Sequence, residues 1–332
     1  MTNRERFLSV LNFEQPQDRL PVVEWAPFWD KTLSRWHQEG LDPALSGTAL
    51  FLRLGSDVLK NYWFPSLDAR CPKPAWHGAP LIYNEKDYDT LLPLLYPEHG
   101  IDPLLADMRR NKPAHDRGEL AIWFSMDGAF WFPRTLFGIE NHFYAFYDYP
   151  ALYHRILCDL ADFQLRQIEK IFAIWTPEFM TIAEDMSFNL GPMLSQACFD
   201  EFLMPYYQRV IPHIKARGTK VFMDTDGNPT MMLPWLMEAG IDGLLPLERM
   251  AGVDIVAIRQ AYPKLLLLGG FDKMVMHQGE RAMRAEFDRI FPVMKQGGYI
   301  PGVDHQTPPG VSLEDFECYI RLLREYAEMA VQ

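Results

Sequence analysis

Short apolar runs alternate with amphipathic stretches along most of the chain. The runs Leu20–Glu24, Leu120–Met126, Phe179–Ala183, Lys220–Met223, Gly243–Leu247, Leu265–Leu268 and Tyr299–Val303 predict buried strands. Between them, Gln196–Ala216, Pro229–Ala239, Asp254–Ala261, Gly279–Gln296 and Ser312–Ala330 carry apolar residues at helical spacing. Gly218, Gly240 and Gly297 follow three of these helices as caps, and Ser312 with Asp315 opens the last. At the start, Thr2 with Glu5 has capping-box spacing ahead of Phe7, Val10 and Leu11, and Pro16 limits that helix. Regular strand–helix alternation implies parallel strands joined by crossover helices. The expectation is an α/β fold, a (β/α)8 TIM barrel with an N-terminal helical extension, as a single domain over residues 1–332. An open doubly wound sheet is the alternative. Its phosphate turn, GxGxxG or GxxxxGK[ST], does not occur here.

Composition narrows the function. Of 332 residues, 48% are apolar and 23% charged, the balance of a folded globule. Lys and Arg number 32 against 44 Asp and Glu, a net charge of −12. With no basic run, nucleic acid is excluded as a partner. No basic amphipathic stretch and no long apolar run points to a membrane. The opening Met1–Arg6, followed only by Phe7–Leu11, is too short for a signal peptide, so a cytoplasmic location is expected. Cys71, Cys158, Cys198 and Cys318 form no CxxC pair and read as reduced thiols. Aromatic residues, at 14%, concentrate in Trp25–Trp36, Tyr62–Phe64, Phe124–Phe132 and Phe137–Tyr153; they suit a thick core or an apolar pocket.

Candidate chemistry lies where the strands end. Each run stops at or just before an acid: Glu24, Asp127, Glu184-Asp185, Asp224-Thr225-Asp226, Glu248, Asp272 and Asp304-His305. In a barrel these positions converge on the catalytic face. Carboxylates sharing a mouth repel unless a cation or protons accompany them. The pattern therefore suits a metal site, a cationic substrate, or carboxyls kept protonated for acid–base work. Helix N-caps are the plainer explanation for any single acid. Asp224 and Asp226, two apart, point to one side of an extended strand end, and His305 arrives from the last strand. Asp224, Asp226 and His305 suit Zn2+, Mn2+ or Fe2+ by ligand type. The other histidines read as surface or packing residues, and neither GxSxG nor HExxH occurs.

Several segments together resemble the uroporphyrinogen decarboxylase superfamily. They are Asn3–Glu14 with Arg19–Val22, Glu184-Asp185-Met186, Gly191-Pro192, Pro205-Tyr206-Tyr207, Asp226-Gly227-Asn228, Glu238–Asp242, Gly269–Asp272 and Gly297–Pro301. The resemblance runs nearly end to end and implies a barrel with a helical extension. It implies either of two chemistries. One is metal-free decarboxylation of a porphyrinogen; Asp57, in Ser56-Asp57-Val58-Leu59, resembles the aspartate that decarboxylases use, but Glu24–Asp30 lacks the arginines that grip carboxylates. The other is methyl transfer linked to a corrinoid protein, which the chain resembles more. There Asp224 and Asp226 fall at a His-x-Cys zinc pair, and His305 falls near a later Cys ligand. Hard ligands in place of thiolates fit polarisation of an ether or alcohol oxygen.

The expectation is a methyltransferase moving a methyl group from a small, methoxylated or similar donor to cobalamin on a separate protein. Zinc or another divalent transition metal would sit at Asp224, Asp226 and His305. Glu184, Glu248 and His305 would be catalytic; Glu24, Trp25, Trp29, Asp57, Asp127 and Trp131 would bind substrate, with Phe130 beside them. A lyase of the decarboxylase type and a small-ligand-binding barrel are the alternatives, and a homo-oligomer is compatible with any of the three.

Overall fold

A computed structural model describes residues 1–332. Seven parallel strands form one curled sheet: β1 Leu59–Trp63, β2 Ala121–Asp127, β3 Phe179–Ala183, β4 Lys220–Asp224, β5 Gly243–Leu245, β6 Leu266–Phe271 and β7 Tyr299–Val303. Neighbours in the sheet follow chain order. Helices connect them, including Pro150–Phe172, Met204–Lys215, Ile255–Ala261, Glu280–Met294 and Leu313–Met329. Residues β2 through β7 are nearly all buried, because helices cover the outer face and side chains fill the inner one.

The expected closed barrel of eight strands is corrected here. Leu20–Glu24 forms no strand, and no ladder joins β1 to β7. Pro21 has no N–H to offer a ladder. The Val22 amide instead donates to the Asp57 carboxylate at 3.0 Å, and the Val22 carbonyl accepts from the Asp57 amide at 2.7 Å. On the other side, the Trp25 indole donates to the Val303 carbonyl at 2.8 Å. The segment thus lies in the gap between the two edge strands, held by side chains. The sequence pattern also misses β1, whose apolar run is broken by Lys60 and Asn61. Lys60 and Tyr62 both reach Asp107 of the helix Asp102–Asp116, at 2.5 and 3.0 Å, so this edge strand is fixed by polar contacts.

The N-terminal helix is Asn3–Leu11, with the expected capping box: Glu5 N–H donates to the Thr2 hydroxyl, and Thr2 N–H to the Glu5 carboxylate. It docks through Arg4, which meets buried Glu178 at 2.6 Å; His115 meets the same carboxylate at 2.9 Å, and the Ile122 amide donates to it at 2.7 Å. The extension Asp30–Gln38 packs through Trp36, which is fully buried against Phe28 and Phe316, both with ring centres 4.8 Å away. The expected helix Gln196–Ala216 is interrupted: Gln196–Cys198 passes through a wider π turn at Phe199–Leu203 before Met204–Lys215. No helix is long and apolar enough to cross a membrane.

Candidate active site

The strand ends build an acidic mouth. Beyond β3, Asp185 enters with a positive backbone φ of 45°, a turn that Asp tolerates better than most residues. Asp224 ends β4 and Asp226 follows it, and both line one cavity of about 230 Å3, as their two-residue spacing implies. Beyond β7 comes His305, which lines the same cavity with Trp25, Trp63, Trp131 and Asp185. No Lys or Arg is among the lining residues.

Charge explains how the acids coexist. Burial, with Asp185 and Asp226 close by, pushes the Asp224 carboxyl up to about 8. Burial also raises Asp185, and the charge of Asp226 adds to the effect. Burial opposes charge on His305, but its pairing with Asp226 wins and raises its pKa. The His305 Nε2–Asp226 Oδ1 distance is 3.5 Å. The mouth is therefore poised to hold protons or a cation.

Three potential ligand atoms converge, from Asp226, Glu248 and His305, all within 4.8 Å of one another. One member of the expected metal set thus changes: Glu248 joins the group, and Asp224 stands outside it on the cavity wall. Glu248 is aimed by the Gly227 amide, which donates to its carboxylate at 2.8 Å, and Lys273 Nζ lies 3.9 Å from its other oxygen. Gly227 has a φ of 79°, and a Cβ there would overlap the backbone of Phe188, so only glycine lets this loop close. Two carboxylates and one imidazole fit a divalent transition metal, since metal–ligand bonds of about 2 Å bring ligand atoms roughly 3–4 Å apart.

Other expected site residues have supporting places. Glu184 is fully buried and lines neither this cavity nor the one beneath it. Its carboxylate accepts from the Ala129, Phe130 and Trp131 amides at 2.7, 2.7 and 3.1 Å and from the Tyr207 hydroxyl at 2.5 Å. It caps the helix Trp131–Phe137, and burial lifts it to about 7; the expected catalytic residue thus stands behind the cavity wall. Asp57, expected at the substrate, forms a two-pronged pair with Arg19, 2.6 Å on each arm, holds the Leu20–Glu24 segment and lines neither cavity. Asp127 accepts from the Trp63 indole at 3.3 Å and sets that ring. Trp29 is 42% exposed and lines neither cavity, while Phe130 is core, packed on His142. Trp25 and Trp131 do line the mouth; the edge of Trp25 meets His305.

Sequence reasoning missed Trp63 and Gln306 as lining residues, and it placed Asp185 among the strand-end acids without giving it a role. Trp63 could not be found, since its strand was not recognised.

A family model described as Uroporphyrinogen decarboxylase (URO-D) matches residues 82–326. The chain belongs to the URO-D family. Members of this family are enzymes, so the mouth of the URO-D sheet is a candidate active site. No curated protein matches the chain. Among solved structures, a putative vitamin-B12-independent methionine synthase from Listeria monocytogenes is similar at 9% identity and a TM-score of 0.50. That match covers 94% of this chain and 98% of that one, a likeness of fold. A B12-independent methionine synthase from Shewanella sp. W3-18-1, in complex with selenomethionine, matches at 11% identity and a TM-score of 0.45. It covers 67% of this chain, which spans 66% of that chain's length.

Proposed function

We propose that this URO-D chain is a methyltransferase. It takes a methyl group from a small donor in the acidic, tryptophan-lined mouth and passes it to cobalamin on a corrinoid protein. The observation that carries the reading is the convergence of Asp226, Glu248 and His305 at a cavity with three aspartates and no lining Lys or Arg. These three residues would hold zinc or another divalent metal. When bound, the metal supplies Lewis acidity beside the donor's leaving heteroatom. The rest is work for the chain's own groups. Trp25, Trp63 and Trp131 hold the donor's apolar part and exclude water. Asp226 orients the His305 ring, and the Gly227 amide orients Glu248. Asp185, whose pKa burial raises, lines the same cavity as the candidate proton donor. The resemblance at Asp226-Gly227-Asn228 to corrinoid-linked members supports the acceptor. A porphyrinogen is disfavoured, because several carboxylates need cationic partners and the His305 imidazole is the single basic side chain lining this cavity.

The test is metal content by elemental analysis after loading with zinc. Wild type should hold about one ion per chain, and Asp226→Ala, Glu248→Ala and His305→Ala should each lose it. No retention in wild type, or retention by all three variants, removes the metal. Methyl transfer that proceeds without a corrinoid protein removes the acceptor.

A further inference from the structure

Below the mouth lies a second cavity of about 290 Å3. It shares Trp25, Pro27, Trp63 and Asp224 with the mouth, so the two adjoin across these side chains. Its walls run down the inner side of β1 and β2. Tyr62 turns outward to Asp107, so Leu59, Asn61 and Trp63 face inward, as Trp123 and Ser125 do from β2. Two carboxyls line this largely apolar space, Glu24 and Asp224, and no lysine or arginine does.

Glu24 is the decisive residue. It is only 4% exposed, and its Oε2 has no hydrogen-bond partner. Its other oxygen receives only a long contact, 3.4 Å, from the Ala26 amide. Asn61 and Ser125, the other polar residues here, are engaged elsewhere: Asn61 donates to Ser125, and Ser125 meets Thr181 at 2.7 Å. A buried acceptor left unpaired is costly, more so when charged, and native proteins leave few of them. As a carboxylate, its missing partner is a donor, and a second carboxyl on the same cavity, Asp224, makes a positively charged donor the best match. Indole walls favour the same choice, since Trp25, Trp63 and Trp123 line the cavity and indole rings attract cations.

We propose that this inner cavity binds the ammonium group of a small protonated amine, between Glu24, Asp224 and the tryptophans. Under the methyl-transfer reading, on which this assignment of ends rests, the ammonium is the anchored end of the donor. The methylated heteroatom then points back to Asp226, Glu248 and His305 at the mouth. The anchoring itself requires no metal and no methyl transfer.

Calorimetric titration of the full chain tests it, with benzylamine (protonated near pH 8), benzyl alcohol and benzoate as probes. Benzylamine should bind, benzyl alcohol at least about tenfold more weakly, and benzoate not at all. Glu24→Gln should weaken benzylamine by about tenfold and leave benzyl alcohol unchanged. Trp63→Leu, at a half-exposed edge position with little folding role, should weaken benzylamine by about fivefold. Equal binding of amine and alcohol, unchanged amine binding by both variants, or no amine binding by wild type overturns the proposal. Amine binding by a protein that neither holds metal nor transfers methyl would sink the methyltransferase alone.

Discussion

At the scale of single residues, the site depends on carboxyls that differ in their surroundings. Glu184 has four donors and serves the backbone of the Trp131–Phe137 helix. Gly128 leaves room for it, because a Cβ there would overlap the Glu184 carboxyl. Gly128→Ala should therefore destabilise the protein by about 2–3 kcal/mol in urea unfolding, while the less crowded Gly218→Ala should not reproduce that loss through contact. Glu24 is the opposite case: burial lifts it from 4.5 to about 8, with little hydrogen bonding to oppose the shift. A carboxyl raised in the folded state binds its proton more tightly there than in the unfolded chain. Its contribution to stability is full below 4.5 and is lost as pH rises towards 8. One such proton gives a slope of up to about 1.4 kcal/mol per pH unit. Glu24→Gln should reduce the fall in unfolding free energy across that window by about this amount, and an unchanged slope would place the titration elsewhere.

At the scale of elements, what the sequence pattern captured depends on how each element is held. Strands β2, β3, β4, β6 and β7 are buried on both faces, so they read as continuous apolar runs and fall close to their expected limits. Strand β1 is an edge secured by Lys60, Tyr62 and Asp107, contacts between residues far apart in sequence. The Leu20–Glu24 run misleads for the complementary reason. It is apolar enough for a strand, yet Pro21 and the Asp57 carboxylate replace the ladder. Asp57 was expected at a substrate, and its pairing with Arg19 makes a different prediction. Asp57→Ala should cost about 3 kcal/mol of stability, because it leaves a largely buried guanidinium unpaired. Hydrogen exchange at the Val22 amide should accelerate with it. Loss of ligand binding with stability and exchange unchanged would restore the substrate role.

At the scale of the whole molecule, the sequence showed the acids gathering at one end of the sheet but not which of them share a cavity. Asp224, Asp226 and His305 were legible because spacing and strand order place them. The exchange of Asp224 for Glu248 in the convergent trio depends on the Gly227 turn, whose path no local pattern reveals. Charge unites the two scales. A net charge of −12 surrounds the mouth, so the field outside the cavity is negative. Such a field concentrates cations and repels anions before any contact is made. Salt shortens its reach, from about 10 Å at 0.1 M to about 3 Å at 1 M. Association of a protonated amine should therefore slow severalfold across that range, while a neutral alcohol of the same shape should associate at nearly the same rate. Stopped-flow tryptophan fluorescence can follow both, since Trp25, Trp63 and Trp131 line the entrance. If dissociation alone responds to salt, the distant charges do not steer the ligand, and attraction is confined to the groups that touch it.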